Sequence, residues 1–235
     1  MIGGQLAHAL MACCNDATVI ARGARAETLR ADGLRIHHYI QRKDTTDRPR
    51  VLEAPDEDRY DKVFAVMQYR MMEKILPELA RVNSPFVVLA GDNLSASEME
   101  ARILEDIPAP KTALFGFGST AGTWKNGRLT TVHTGDGRLI LGKGHGEIPE
   151  EAKPILLQTF PGSRLCVVYC DSMDAWLKYH AAFILPVVCL CYKTGCDLRR
   201  STRAERKLML DAVGDACRPL MALGYPVRPV DNNAR

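Results

Sequence analysis

The chain opens on the stretch that decides its fold class, MIGGQLAHALMACCNDATVIARG at residues 1–23. Small and apolar residues over Met1–Cys14, opened by Gly3-Gly4, predict a helix. The β-branched run Ala17–Ala21 predicts a short strand after that helix, and the strand ends at Arg22-Gly23. A helix that leads back into such a strand is typical of an α/β domain, in which helices cover a sheet of parallel strands.

The same alternation continues along the chain as far as about residue 171. Lys62–Met67 and Phe86–Ala90 are near-continuous apolar runs, the pattern of parallel strands that are covered on both faces. The other predicted strands are Leu34–Ile40, Thr112–Phe117, Leu129–His133, Arg138–Leu141 and Leu165–Tyr169. The other predicted helices in this part of the chain are Ala26–Ala31, Met71–Val82, Glu98–Leu104 and Glu150–Phe160.

Two connecting segments also carry expectations. Lys43–Pro49 is polar throughout and predicts a loop. Thr134-Gly135-Asp136-Gly137 stands between two predicted strands and is a hairpin signal. Beyond residue 171 the pattern changes to two long helical stretches, Asp174–Tyr192 and Thr202–Leu223. The sequence therefore predicts a doubly wound α/β domain over residues 1–171, followed by a helical domain over residues 172–235.

Composition narrows the class of protein. The 235 residues are 46% hydrophobic and 25% charged, which is the balance of a soluble globular protein. The net charge of +3 is too small to imply nucleic acid or an anionic membrane as a partner. The first residues lack a secretory signal, and the longest apolar run, Ala181–Tyr192, is too short to span a bilayer. We therefore expect a cytoplasmic protein.

The eight cysteines contain no CxxC pair. Most of them sit in apolar runs, which predicts reduced thiols packed in the core and no metal site.

The N-terminus suggests a nucleotide site. A dinucleotide-binding domain begins with a strand, a glycine-rich turn and a helix whose N-terminus faces the pyrophosphate. Here Gly3 and Gly4 open the helix directly, without the preceding strand. Arg22 ends the next strand, where a basic residue would meet a 2′-phosphate and an acidic one would favour NAD. The alternative for Arg22 is an ordinary solvated loop arginine.

Residues 19–23 (VIARG) and 29–36 (LRADGLRI) closely resemble the ketopantoate reductase family. The resemblance implies a Rossmann-type sheet that lacks its first strand, with Gly3 matching the third glycine of the family's G-x-G-x-x-G turn, followed by a partial helical domain. The likeness covers nearly all of the chain, which spans about three quarters of the family's usual length. It continues through Tyr60–Val66, which is similar to the family's YDxVxxxV strand, and Leu223–Val227, which is similar to its LGYPVxP loop.

The resemblance also implies cofactor contacts after two strands. Gln68 stands where the family often carries a lysine near the cofactor. Leu89–Leu94 (LAGDNL) takes the place of the family's LQNG loop, and either Asp92 or Asn93 could stand for its asparagine. We assign Asn93 to the cofactor and Asp92 to the substrate as hypotheses.

Reduction of a 2-oxo acid needs a hydride donor at the carbonyl carbon and a proton or cation at the oxygen. The family's catalytic lysine lies in a W-x-K setting, which Trp176-Leu177-Lys178 reproduces. Lys178 is therefore the predicted general acid. The family's asparagine one helical turn later is replaced by Ala182, and His180 is a weaker candidate for substrate contact because it points about 200° away from Lys178 around the helix.

Three hypotheses follow from this comparison. The first is an NADP(H)-dependent reductase of a 2-oxo acid such as ketopantoate, with a homodimer as the candidate assembly. The second is a relative that acts on another carbonyl or imine, which Gln68 and Ala182 suggest. The third is an inactive remnant that only binds, because the first strand and the family's later serine and glutamate are absent.

Overall fold

The computed structural model describes residues 1–105, 111–118, 121–132, 137–162 and 165–227. The helices are α1 (Ile2–Ala12), α2 (Ala24–Asp32), α3 (Tyr69–Arg81), α4 (Ala96–Glu105), α5 (Ala152–Leu157), α6 (Met173–Lys193) and α7 (Arg203–Ala222). The strands are β1 (Thr18–Ile20), β2 (Leu34–His38), β3 (Lys43–Asp47), β4 (Arg50–Leu52), β5 (Val63–Val66), β6 (Phe86–Ala90), β7 (Thr112–Gly118), β8 (Ala121–Lys125), β9 (Arg128–Val132), β10 (Gly137–Gly142) and β11 (Leu165–Tyr169).

The strands form three sheets. The main sheet has the order β11-β10-β7-β6-β5, in which β5, β6 and β7 are parallel and β10 runs antiparallel to β7. A separate parallel pair joins β1 to β4, and no described strand connects β1 to β5. A four-stranded sheet of order β3-β2-β9-β8 completes the set. The predicted α/β class, with helices after the sheet, is confirmed.

Both faces of the main sheet are covered, because side chains of β6 alternate between two cores. Val87 and Leu89 pack with α3, α4 and the start of α6 on one face. Phe86 and Val88 pack with α1 and α5 on the other. All five residues of β6 are buried, as expected for a central parallel strand. A third, smaller cluster packs α1 and α2 against the four-stranded sheet, which is mixed because β2 and β9 are parallel.

The predicted loop at Lys43–Pro49 is wrong over most of its length. Lys43–Asp47 forms β3, which pairs antiparallel with β2 from Leu34↔Asp47 to His38↔Lys43. The strand lies at the edge of its sheet and three of its five residues are exposed, so its polar composition does not show the alternation that marks a half-buried strand.

The predicted hairpin between β9 and β10 is also wrong. β9 pairs with β2 and β8, whereas β10 pairs with β7 and β11 in the main sheet. The two strands differ in burial, because β10 is buried from Leu139 to Gly142 while β9 has one largely exposed face. The two strands that flank the turn signal therefore lie in different sheets, and residues 134–136 lie outside the described part of the chain.

Most cysteines do not pack in the core, contrary to the sequence-based expectation. All eight are free thiols, and Cys170 alone among them is buried. Cys14, Cys166, Cys189 and Cys196 are exposed. Cys166 shows the reason, since it occupies an outward position of the strand β11, so an apolar run does not guarantee burial of each member.

Helix α6 is longer than the apolar run within it. By length and composition its 21 residues could cross a membrane. Its first half, however, packs in the interior of the protein, because Met173, Trp176 and Leu177 belong to the same core as α3 and α4. The division of the chain at residues 171 and 172 stays a prediction, and α6 docks directly onto the sheet that precedes it.

Candidate active site

The carboxyl ends of β5, β6 and β7 meet at one edge of the main sheet because the three strands are parallel. The N-terminus of α1 lies at this edge. A Cβ atom added to Gly3 would lie 3.4 Å from the Cβ of Val66, at the end of β5. A Cβ atom on Gly118 would lie 3.6 Å from Ile2. The edge therefore brings a helix N-terminus next to the ends of β5 and β7, the arrangement that favours anions.

The two glycines of α1 face different neighbours. Gly3 approaches β5, whereas a Cβ atom on Gly4 would lie 3.1 Å from Leu129 and 3.4 Å from Leu34 of the four-stranded sheet. Both positions thus allow α1 to pack closely between two sheets. Their contact with a dinucleotide stays a prediction.

Arg22 is exposed just beyond β1, and its Nε donates to the backbone oxygen of Glu53 at 3.0 Å. The sequence interpretation missed Arg25, whose guanidinium lies 3.4 Å from the ring centroid of Trp124. Burial and the nearby Arg25 charge together lower the pKa of the Met1 amino group, which places Arg25 close to the N-terminus of α1. The sequence signal was an arginine three positions after Arg22, in the first turn of α2.

The positions after β5 and β6 have different surroundings. Gln68 is exposed at the N-cap of α3 and makes no side-chain capping bond there. Asn93 is fully buried, and its Nδ2 donates to the backbone oxygen of Leu89 at 3.1 Å. The side chain of Asp92 is 57% exposed, with its Oδ1 3.5 Å from the Nε2 of His180. Of the two alternatives for this loop, the structure turns Asp92 toward solvent and Asn93 into the core.

Lys178 is held in place by contacts from both sides. Its ammonium donates to Oδ1 of Asp174 at 2.6 Å and lies 5.0 Å from the ring centroid of Tyr225. The same Asp174 oxygen accepts from the backbone N–H of Ser97 at 3.4 Å, near the start of α4. The hydroxyl of Tyr179 donates to the backbone oxygen of Tyr225 at 3.1 Å, which anchors the segment that carries the ring. Lys178 is therefore fixed near the loop that follows β6.

His180 lies in an aromatic cluster that the sequence did not reveal. Its ring stacks on Trp176 with centroids 5.2 Å apart and contacts Phe117 at 4.2 Å. Burial lowers the pKa of His180, and the Asp92 carboxylate opposes that shift only in part. The imidazole is therefore neutral near pH 7. Its buried Nδ1 has no hydrogen-bond partner among the described residues.

The structure brings some of the predicted residues together and not others. Contacts within the described residues join Asp92 to His180 and Lys178 to Asp174, at the same edge of the sheet. They join neither pair to Arg22, which lies beyond β1 in the separate sheet. The roles of these side chains stay predictions.

Sequence comparisons identify no relative: no protein-family model matches the chain, and neither does any curated protein. Comparison with solved structures does find matches. A putative ketopantoate reductase from Ralstonia solanacearum is 22% identical and has a TM-score of 0.71, with 98% of this chain and 77% of that chain covered. A probable 2-dehydropantoate 2-reductase from Bacillus subtilis is 17% identical and has a TM-score of 0.68, with 94% and 73% covered.

A further match is D-mandelate dehydrogenase, solved with NADH and anilino(oxo)acetate. It is 16% identical and has a TM-score of 0.74, with 96% of this chain and 72% of that chain covered. The predicted resemblance is thus confirmed for the fold: this chain has the sheet and the following helices of the ketopantoate reductases.

Proposed function

We propose that the chain is an NADP(H)-dependent oxidoreductase that reduces the keto group of a 2-oxo acid, such as 2-dehydropantoate, to a hydroxyl. The observation that carries this proposal is the placement of Lys178. Its side chain is 19% exposed, and its ammonium is oriented by Asp174 beside the loop that follows β6. A positive proton donor held at the carboxyl end of a parallel sheet suits the oxygen of a carbonyl that is being reduced.

The reaction adds a hydride to the carbonyl carbon and a proton to its oxygen. A bound nicotinamide supplies the hydride, and Lys178 supplies the proton from Nζ. An ammonium carries three N–H groups, and the bond to Asp174 uses one of them. The other two can donate to the substrate oxygen. Asp174 can therefore orient the ammonium and still leave N–H groups for the substrate.

The residues at the N-terminus of α1 and after the end of β1 fit a phosphorylated dinucleotide. The first turn of α1 has no side-chain cap, so its backbone N–H groups can donate to the oxygens of a pyrophosphate. Arg22 and Arg25 place two cations after β1, where a 2′-phosphate would be recognised. These cations favour NADP(H) over NAD(H).

A second candidate substrate class is a 2-oxo acid with an aromatic side chain. Ala182 is buried one helical turn after Lys178 and offers no polar group there. Phe117, Trp176 and His180 form an aromatic wall instead. The structural match to a mandelate dehydrogenase agrees with this alternative. A comparison of 2-dehydropantoate with phenylglyoxylate as substrates distinguishes the two.

The test of the function is a pair of variants on one helix. Lys178→Met is expected to lower kcat/KM for the preferred 2-oxo acid about 100-fold or more, because the proton donor is lost. Lys193→Met, near the other end of α6 and 66% exposed, serves as the matched control and is expected to keep wild-type turnover. Wild-type turnover in the Lys178→Met enzyme would contradict the proposal.

Dinucleotide binding is measured separately by fluorescence titration with NADPH and NADH. Arg22→Ser is expected to weaken NADPH binding and leave NADH binding unchanged, because only NADPH carries the 2′-phosphate. Equal affinities of the wild-type protein for the two dinucleotides would remove the preference for NADP(H). Binding without turnover of any 2-oxo acid would favour the third hypothesis, a module that only binds.

A further inference from the structure

The turn that ends α6 brings two cysteines together. Cys191 lies in the last turn of α6, and Cys196 follows the helix after Thr194 and Gly195. The backbone N–H of Cys196 donates to the oxygen of Cys191 at 2.7 Å, and the N–H of Gly195 donates to the oxygen of Tyr192 at 3.2 Å. Gly195 has a φ of 64°, a left-handed backbone conformation. These two bonds and the left-handed glycine define a Schellman motif, with Cys191 and Cys196 at its two ends.

The motif holds the two cysteines at a distance that suits a disulfide. One hydrogen bond joins their backbones, so standard bond lengths place the two Cα atoms at most about 6.5 Å apart. Disulfides join residues whose Cα atoms lie about 4.4–6.8 Å apart. Side chains at these two positions of a Schellman motif also commonly contact each other. A bond between the two sulfur atoms is therefore compatible with the backbone of this turn.

An oxidant can reach this turn from solvent. Cys196 is exposed and Cys191 is half-buried, and both are free thiols. A Cβ atom added to Gly195, between them, would meet nothing within 4 Å, so the turn is open on its outer side. Reversible thiol oxidation needs an accessible sulfur and a second thiol that resolves the oxidised one. The end of α6 provides both.

We propose that Cys191 and Cys196 form a reversible disulfide in response to peroxide. The thiolate of Cys196, the more exposed residue, attacks one oxygen of hydrogen peroxide, and the O–O bond breaks to give a sulfenic acid and one water. The thiolate of Cys191 then attacks this sulfur, forms the S–S bond and displaces the sulfenic oxygen as a second water. The protons that the two thiols lose complete the two waters. Glutathione reverses the reaction by thiol–disulfide exchange.

The disulfide closes a short ring, residues 191–196, at the junction of α6 and α7. Lys193 lies inside this ring, and its ammonium is 2.8 Å from a carboxylate oxygen of Glu205 in the first turn of α7. Glu205 also forms the capping box of α7 with Thr202. The ring therefore fixes the end of α6 that contacts the start of α7. Because the cross-link also restricts the unfolded chain, the oxidised protein is expected to be the more stable form.

The test uses a trypsin cleavage site that lies between the two cysteines. Cleavage after Lys193 separates residues 179–193, which contain Cys189 and Cys191, from residues 194–199, which contain Cys196. The full chain is oxidised with hydrogen peroxide at low protein concentration, its remaining thiols are alkylated, and it is digested without reductant. Mass spectrometry is expected to find the two peptides joined, in a protein that runs as a monomer on a non-reducing gel. Treatment with glutathione before digestion is expected to separate them.

Cys189 provides the matched control. It is exposed and lies in the same peptide as Cys191, but about 200° away from it around α6. Cys189→Ser is expected to keep the joined peptides, and its midpoint of thermal unfolding is expected to rise by roughly 2–6 °C on oxidation. Cys191→Ser is expected to lose both effects. Joined peptides in Cys191→Ser, their loss in Cys189→Ser, disulfide-linked dimers only, or an unchanged midpoint would overturn the proposal.

Discussion

His180 loses most of its contact with water when the chain folds. Its side chain is 10% exposed and is packed between Phe117 and Trp176. Burial of an imidazole disfavours the charged form, which is why the pKa of His180 lies below its ordinary value of 6.5 despite the nearby Asp92. The imidazole takes up its proton at lower pH in the folded state than in the unfolded state. Protonation of this residue in acid therefore lowers the stability of the folded protein.

The consequence is a pH-dependent stability. Between the lowered pKa and about 6.5, the unfolded chain binds a proton at this residue and the folded protein does not, so the free energy of unfolding falls as the pH is lowered through that window. His180→Phe, which keeps an aromatic ring, is expected to reduce the dependence between pH 7.5 and 5.5. Urea unfolding at several pH values measures it.

The control is His145→Gln, because His145 is 75% exposed, and that variant is expected to keep the wild-type dependence. The same slope in His180→Phe as in the wild-type protein would show that burial of the imidazole does not set the acid response.

At the scale of elements, the docking of α6 on the main sheet depends on Gly142. This residue ends β10, and a Cβ atom there would overlap the backbone oxygen of Cys170 and the side chain of Met173. The backbone N–H of Cys170 also donates to the oxygen of Leu141 at 2.8 Å. The end of β10 and the residues that lead into α6 are therefore in direct contact, and this contact sets the position of Lys178 relative to the sheet.

Gly142→Ala is expected to destabilise the protein by about 1–3 kcal/mol, the usual cost of adding atoms to a packed site. It is also expected to lower kcat more than dinucleotide affinity, because α6 carries Lys178. The comparison variant is Gly214→Ala in α7, where nothing lies near the added Cβ atom and the change should stabilise by about 0.5–1 kcal/mol. Denaturant unfolding of both variants decides this, and equal stabilities would contradict the docking argument.

At the scale of the whole molecule, the parallel strands are unequally supported. β6 has a neighbour on each side and is buried along its full length. The pair β1–β4 has only three residues in each strand, and among the described strands neither has a second neighbour. Short sheets with open edges lose their hydrogen bonds at low cost.

Native-state hydrogen exchange is therefore expected to show the slowest amides in β6 and β7, and exchange in β1 and β4 at least about tenfold faster. The physical reason is that opening β1–β4 exposes little buried apolar surface, whereas opening β6 disrupts two cores. Mass spectrometry of peptides from each strand measures the rates. Equal protection of the two regions would mean that the whole molecule opens as one unit.

The sequence by itself predicted the order of the helices and of the apolar strands, because apolar periodicity is a local property, but it missed β3, β4 and β8. It placed β6 and α3 within two residues of their ends and located Lys178 early in a long helix. It also identified the family whose fold the chain shares.

Only the tertiary structure decided which strands pair and which side chains meet. β9 and β10 are consecutive yet belong to different sheets, since pairing depends on burial across the whole molecule. The cluster of Phe117, Trp176 and His180 draws on segments far apart in the chain. Such contacts form only when the whole chain packs, because their energy comes from excluding water between distant segments, and no local pattern records it.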